Sequence, residues 1–149
     1  MGIKREKAME LFKEGYNCAQ AVFLAYAEDY GMDETQAKKI ASSFGGGMGR
    51  MREVCGAVSG MFMVAGLENG QTDPKDGQSK IKNYETVQKL AEKFKEENGS
   101  IYCRELLGLT DTVHNNPNPE KRTEEYYKKR PCGELVGIAC DIIDEVLGK

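Results

Sequence analysis

Apolar residues recur along most of this chain at intervals of three and four, and charged residues fill the positions between them. That spacing places the apolar side chains on one face of an α-helix. No stretch alternates convincingly between apolar and polar residues with the period of two that a half-buried strand requires. The pattern therefore predicts an all-α fold, a helical bundle.

Three helices are predicted before residue 45. The first covers residues 4–14 and ends at Gly15, and the second closes near Gly31. Asn17 and Asp33 are suitable N-caps for the second and third helices, because their side chains can accept hydrogen bonds from the first turn. The residues expected to face inward from these helices are Ala8, Leu11, Phe12, Ala19, Val22, Phe23, Tyr26, Ala37, Ile40, Ala41 and Phe44.

Residues 54–67 carry no charge and predict a buried central helix that opens at Cys55. The run has 14 residues, fewer than the about 20 needed to cross a bilayer. We therefore expect no membrane insertion. Gly56 and Gly60 lie four residues apart and hence on one helical face, where another backbone can approach closely.

Three further helices are predicted in the second half of the chain. A long charged helix covers about residues 79–97, a short helix after Ser100 contains Cys103 and ends at Gly108, and the last helix begins at Pro131. The residues expected to face inward are Ile81, Tyr84, Val87, Leu90, Ala91 and Phe94 in the long helix, and Leu135, Ile138, Ala139, Ile142, Ile143 and Val146 in the last.

A glycine-rich loop, formed by Gly45, Gly46, Gly47 and Gly49, precedes the central helix. Glycines permit backbone angles closed to other residues and can bring N–H groups close to an anion, a cluster or another helix. The loop follows a helix rather than a strand and lacks the Lys-Ser/Thr ending of a phosphate-binding loop, so nucleotide binding is poorly supported. These four glycines are candidate cofactor-binding residues.

The length and charge of the chain limit the number of domains and the classes of partner that we expect. The chain has 149 residues, of which 30% are charged and 40% hydrophobic. We expect residues 1–149 to form a single helical four-cysteine domain. Lys and Arg number 21 against 24 Asp and Glu, so nothing favours nucleic acid as a partner. No export signal is recognisable at the N-terminus. We expect a cytoplasmic protein, and the sequence leaves open whether it is a homo-oligomer.

The candidate chemistry lies in five cysteines, at positions 18, 55, 103, 132 and 140. Structural disulfides are rare in the cytosol, and no two of these residues form a C-x-x-C pair. Cys18, Cys103 and Cys132 fall in predicted first turns, where N–H groups and the helix dipole stabilise thiolates. The arginines that would add to this effect are Arg52, Arg104 and Arg130. We expect a thiolate near neutral pH among these three and Cys55, whereas Cys140 is expected to be a buried, inert thiol.

The cysteine pattern resembles that of a known family. Residues 44–50 read Phe-Gly-Gly-Gly-Met-Gly-Arg, and residues 53–60 read Glu-Val-Cys-Gly-Ala-Val-Ser-Gly. Together with three further cysteines in order, they resemble the C_GCAxxG_C_C family of redox-active proteins over nearly the whole chain. The resemblance implies a redox role and makes Cys18, Cys55, Cys103 and Cys132 the four family cysteines, with no counterpart for Cys140.

Three hypotheses about function remain open. In the first, Cys18, Cys55, Cys103 and Cys132 are catalytic residues of an oxidoreductase, and two of them exchange between dithiol and disulfide with a redox partner or small molecule. In the second, the same four hold zinc or an iron–sulfur cluster. In the third, the protein is a binding or regulatory module with incidental cysteines. From the shared helix-start placement and the family resemblance, we expect Cys18, Cys55 and at least one of Cys103 and Cys132 to converge in one pocket. His114, the only histidine, lies in a predicted surface loop and is expected to be neither ligand nor base.

Overall fold

The computed structural model describes residues 2–108, 122 and 131–149. This part of the chain forms α-helices and no strand, which confirms the all-α prediction. The helices are α1 (Ile3–Glu14), α2 (Cys18–Ala27), α3 (Glu34–Ser42), α4 (Gly56–Asn69), α5 (Gly77–Asn98), α6 (Cys103–Leu106) and α7 (Cys132–Leu147), with a 3-10 turn at Glu28–Tyr30. The expectations for His114 and Arg130 lie outside the described residues.

The predicted caps define where α2 and α3 begin. The backbone N–H of Gln20 donates to Asn17 Oδ1 at 2.9 Å, and the backbone N–H of Asn17 donates to Gln20 Oε1 at 3.0 Å. This complete capping box makes Cys18 the first residue of α2. Asp33 caps α3 by accepting a hydrogen bond from the backbone N–H of Gln36.

The centre of the fold is the crossing of α2 and α4. Both helices are buried over most of their surface. A Cβ at Gly60 would lie 2.8 Å from Val22 Cβ, and one at Gly56 would lie 3.0 Å from the backbone N of Ala19. The two glycines therefore permit the close backbone approach that their spacing predicts, and α4 shares the central position with α2.

Around this centre, α1 packs on α7, α3 on α2, and α5 on α4 and α7. Two predicted inward faces are partly wrong. Ile40 is 48% exposed, because α3 contacts α2 through the small side chains of Ala37 and Ala41. Ile81 and Tyr84 are 53% and 55% exposed.

The error on α5 has an identifiable cause. Asn83 Nδ2 donates to the Ala65 carbonyl at 3.3 Å and to Asn69 Oδ1 at 2.9 Å. These polar contacts turn the Asn83 side of the helix towards α4. Farther along α5, Leu90 and Phe94 are buried as expected.

Two helix starts differ slightly from the prediction. Tyr102, not Ser100, is the N-cap of α6, while Ser100 Oγ accepts a hydrogen bond from the Tyr102 backbone N–H at 2.9 Å. Pro131 is the N-cap of α7 rather than its first residue, so Cys132 takes the first position. In the described part of the chain, the helices are all too short or too polar to cross a membrane.

Candidate functional site

Four cysteines at helix starts surround one cavity of about 420 Å³. Cys18, Cys103 and Cys132 are the first residues of α2, α6 and α7, and Cys55 is the N-cap of α4. All four line the cavity. The structure thus brings the expected set together, including both Cys103 and Cys132. Their catalytic or metal-binding roles stay predictions.

A short backbone pairing positions Cys55 beside Cys103. Val54 and Tyr102 form an isolated antiparallel bridge. The Cys55 N–H donates to the Ile101 carbonyl at 2.8 Å, and the Cys103 N–H donates to the Glu53 carbonyl at 2.7 Å. Since each cysteine lies one residue beyond the bridged pair, both project to the same face of the pairing. The sequence pattern offered no signal for this bridge because it is too short to alternate.

The starts of α2 and α4 bring Cys18 to the same cavity. A Cβ on Gly56 would lie 3.1 Å from Cys18 Cβ, so the absence of a side chain there lets Cys18 lie directly against α4. On its other side, the Cys18 thiol is hydrogen-bonded with the Cys132 thiol. The first and last family cysteines are therefore in contact.

The glycine-rich loop covers one side of the cavity. Gly45, Gly46 and Gly47 line it, whereas Gly49 does not. A Cβ on Gly47 would lie 2.6 Å from Cys103 Cβ and 2.8 Å from Arg52 Cα. The loop thus needs glycine at this position in order to lie against Cys103.

The loop also carries backbone strain that the sequence did not indicate. Met48, Arg50 and Arg52 have φ angles of 66°, 67° and 61°. Non-glycine residues in this left-handed region cost about 1–3 kcal/mol each and cluster at functional sites. The loop is held in this form by hydrogen bonds from the Arg50 and Arg52 N–H groups to the Gly45 and Gly46 carbonyls, at 3.0 and 3.2 Å.

Arginines contribute the charge of the cavity wall. Arg50, Arg52 and Arg122 line it, and Arg52 Nη1 lies 3.5 Å from Cys103 Sγ. Arg104 instead pairs with Glu53 at 2.8 Å and is not a lining residue. Arg50 and Arg122 were not among the residues predicted from sequence to act on the cysteines. Arg50 could have been recognised as the last residue of the glycine motif, but Arg122 is far from every cysteine in sequence.

Burial and neighbouring thiols, not the helix starts, determine the pKa values of Cys18 and Cys55. The hydrogen bond to Cys132, followed by burial and the neighbouring thiols, raises the pKa of Cys18 well above its ordinary range. Burial raises the pKa of Cys55 to about 12. The N–H groups of Ala57 and Val58 oppose this shift, but neither makes a capping hydrogen bond to the side chain. For Cys18 and Cys55 the expected lowering of the pKa is therefore wrong, because desolvation and neighbouring thiols disfavour negative charge.

Cys140 lies away from the cavity, fully buried in the middle of α7. Burial and the charge of Asp144 raise its pKa to about 12, in agreement with the inert thiol expected there. All five cysteines are thiols in the structure. Among the described residues, no group of three or more Cys, His, Asp or Glu side chains is arranged to hold a metal ion.

The fold and the site together define a small helical protein with four cysteines around one cavity. The chain matches the family described as "Putative redox-active protein (C_GCAxxG_C_C)" over residues 16–146, and it belongs to that family, as its cysteine pattern predicted. The family name writes Gly before Cys in the motif, whereas here Cys55 precedes Gly56.

A similar full-length relative carries no functional description. A protein of Archaeoglobus fulgidus, described as "Uncharacterized protein", is 30% identical over 145 residues, which are 93% of this chain and 89% of that protein. No solved structure matches the chain.

Proposed function

We propose that this protein is a thiol-based redox protein in which Cys18 and Cys132 exchange between a dithiol and a disulfide. The observation that carries the proposal is that both thiols line the four-cysteine cavity from the first residues of α2 and α7, where they are hydrogen-bonded with each other. Sulfurs in hydrogen-bond contact need a small displacement to reach the about 2.05 Å of an S–S bond. The family description, redox-active, agrees with this chemistry.

Cys103 is the thiol best placed to begin the exchange, since the Arg52 guanidinium 3.5 Å from its sulfur favours negative charge there. Its thiolate attacks a partner disulfide, forms a mixed disulfide and expels one partner thiol. Attack by Cys132 on the Cys103 sulfur then releases the second partner thiol. Attack by Cys18 on the Cys132 sulfur closes the disulfide and regenerates the Cys103 thiolate. Two electrons and two protons leave the protein, and the partner disulfide becomes two thiols.

The proposal is tested by oxidising the reduced protein with a small disulfide and mapping the product by mass spectrometry. The expected product has lost two hydrogens and contains a Cys18–Cys132 bond. Cys18→Ser and Cys132→Ser should abolish this product, while Cys140→Ser should form it normally. A stable bond involving Cys140, or intermolecular bonds alone, would overturn the proposal.

The second candidate, an iron–sulfur cluster or zinc site, is favoured by one observation: four cysteines, the usual complement of such a cluster, line a single cavity. Binding would require Cys18 to lose a proton that the hydrogen bond with Cys132 and burial retain, and Cys55 to lose one that burial retains. Anaerobic purification, metal analysis and a visible spectrum test it directly. A metal site would replace the thiol proposal if the protein contained stoichiometric iron with inorganic sulfide, or stoichiometric zinc. The metal should then be lost in each single Cys→Ser variant of the four cavity cysteines and retained in Cys140→Ser.

A further inference from the structure

The wall of the four-cysteine cavity is positively charged although the chain is not. Arg50, Arg52 and Arg122 line the cavity, and no Asp or Glu is found among its described lining residues. Over the whole sequence acidic residues outnumber basic ones, with a formal net charge of -3. The positive wall is therefore a local feature and does not follow from the overall composition.

Arg52 has a donor that its surroundings leave unused. Its Nη1 donates to Cys103 Sγ at 3.5 Å, but its Nε is buried and has no acceptor within the described part of the structure. A buried donor without an acceptor costs about 1–3 kcal/mol, and more when it is charged. The carboxylate next to it in sequence, Glu53, pairs with Arg104 at 2.8 Å instead.

Arg122 is held in place by neutral groups. Its guanidinium donates to the carbonyl oxygens of Phe12 and Tyr16 and stacks over the Phe12 ring with 4.3 Å to the ring centre. These contacts orient the side chain, and none of them involves a carboxylate from the residues that the structure describes. An anion in the cavity would meet positive charge from Arg52 and from Arg122.

We infer that the cavity takes a small anionic thiol or disulfide, whose carboxylates lie against the arginines while its sulfur meets the cysteines. This deepens the proposed function and rests on it for the sulfur chemistry, whereas the preference for an anion rests on the arginines alone. The cavity volume of about 420 Å³ falls within the about 300–1,000 Å³ typical of small-molecule sites. Charge-assisted hydrogen bonds from arginine to a carboxylate are stronger than neutral ones and select by charge.

The anion preference is tested without any disulfide chemistry by comparing iodoacetate with iodoacetamide. The two reagents are nearly equal in size, and both transfer their carbon to the thiolate with loss of iodide, but only iodoacetate is an anion. At the cavity cysteines, the iodoacetate rate divided by the iodoacetamide rate should be roughly tenfold higher in the folded than in the urea-unfolded protein. A change in rate of about tenfold corresponds to the contribution of one charge-assisted hydrogen bond. High salt should reduce the ratio, because ions screen the attraction.

Arg52→Gln should bring the ratio close to that of the unfolded chain. The ratio cancels any change in the nucleophilicity of Cys103, so a loss of general reactivity cannot imitate this result. Lys93→Gln is the matched control, since it removes one positive charge far from the cavity, where Lys93 pairs with Glu145 at 3.1 Å. Equal ratios in folded and unfolded protein, or an unchanged ratio in Arg52→Gln, would overturn the inference.

A second arm separates this inference from the proposed function. Reduced protein is mixed with 2,2′-dithiodiglycolate, which is anionic, or with 2-hydroxyethyl disulfide, which is neutral. The anionic disulfide should oxidise the protein faster, and Arg52→Gln should remove the difference. If iodoacetate is preferred but neither disulfide reacts, the thiol–disulfide function fails and the anion site stands. If both disulfides react equally and iodoacetate is not preferred, the anion site fails and the function stands.

Discussion

At the scale of single residues, Cys55 and Cys103 show how neighbouring thiols acquire different chemistry. Both are buried, at 5% and 7% exposure, and both project from the same short backbone pairing. At Cys55 burial dominates and raises the pKa, while the backbone N–H groups of Ala57 and Val58 favour the thiolate. Cys103 has a guanidinium 3.5 Å away. A cation delivers a full charge, whereas two imperfectly aligned N–H groups deliver a fraction of one.

This difference predicts the order of reactivity. In reduced, metal-free protein, Cys103 should react with iodoacetamide at a lower pH than Cys55 or Cys140, because only thiolates react and Arg52 stabilises the Cys103 thiolate. The measurement is alkylation across a pH series, with each cysteine followed by mass spectrometry. Arg52→Gln should move the Cys103 profile to higher pH and leave the Cys140 profile unchanged. Early reaction of Cys140, or identical profiles for all cysteines, would contradict the assignment of Cys103 as the nucleophile.

At the scale of elements, the glycine-rich loop links the end of α3 to the cysteines. Its backbone crosses the left-handed region repeatedly, which places Gly47 against Cys103 and positions Arg52 between the loop and the bridge. The loop thus orients one thiol and its cation together.

Two glycines of the loop provide a matched test. Gly47 and Gly49 have φ angles of 75° and 60°, so an alanine at either position costs similar strain, about 1–2 kcal/mol. Only at Gly47 does the added Cβ collide, 2.6 Å from Cys103 Cβ, whereas at Gly49 the nearest atom is 3.7 Å away. Gly47→Ala should change the alkylation rate of Cys103 at least several-fold, and Gly49→Ala should lower the free energy of unfolding without changing that rate. The same Cys103 rate in both folded variants would show that the loop does not orient the thiol.

Helix ends were predictable from sequence to a greater extent than helix faces. Asn17 and Gly15 act through contacts with residues a few positions away, so their roles can be read locally. The face that α5 turns inward depends on hydrogen bonds from Asn83 to α4, and the exposure of Ile81 follows from that distant contact. In the site, cysteine positions and the glycine loop were recognisable, but the arginine that lies on Cys103 and the contact between Cys18 and Cys132 depend on packing between elements.

At the scale of the whole molecule, the fold keeps the thiols of Cys18, Cys55 and Cys140 protonated. Cys18 and Cys132 are far apart in sequence and meet because α2 crosses α4 while α1 packs on α7. Cys140 belongs to the core beneath them and hardly contacts solvent. Cys18, Cys55 and Cys140 are therefore held in an environment that favours the protonated form.

Stability should consequently fall in mild alkali. The folded pKa values of Cys55 and Cys140 are about 12, and that of Cys18 is also raised, whereas an unfolded thiol has a pKa of about 8.5. Above that pH the unfolded chain has lost protons that the folded protein retains, so the free energy of unfolding decreases as pH rises. The stabilisation is fully present below about pH 8.5 and is lost towards pH 12. Each thiol contributes a slope of at most about 1.4 kcal/mol per pH unit.

Urea unfolding of the reduced protein, measured anaerobically between about pH 7.5 and 10, tests this expectation, because the unfolded thiols titrate within that window. The unfolding midpoint should stay level at the lower end and then decline. Cys140→Ala is the informative variant: the space left by its side chain should lower stability at every pH, but one titrating thiol fewer should make the alkaline decline shallower. A level midpoint up to pH 10, or an equally steep decline in Cys140→Ala, would mean that the buried thiols ionise as readily in the folded protein as in the unfolded chain.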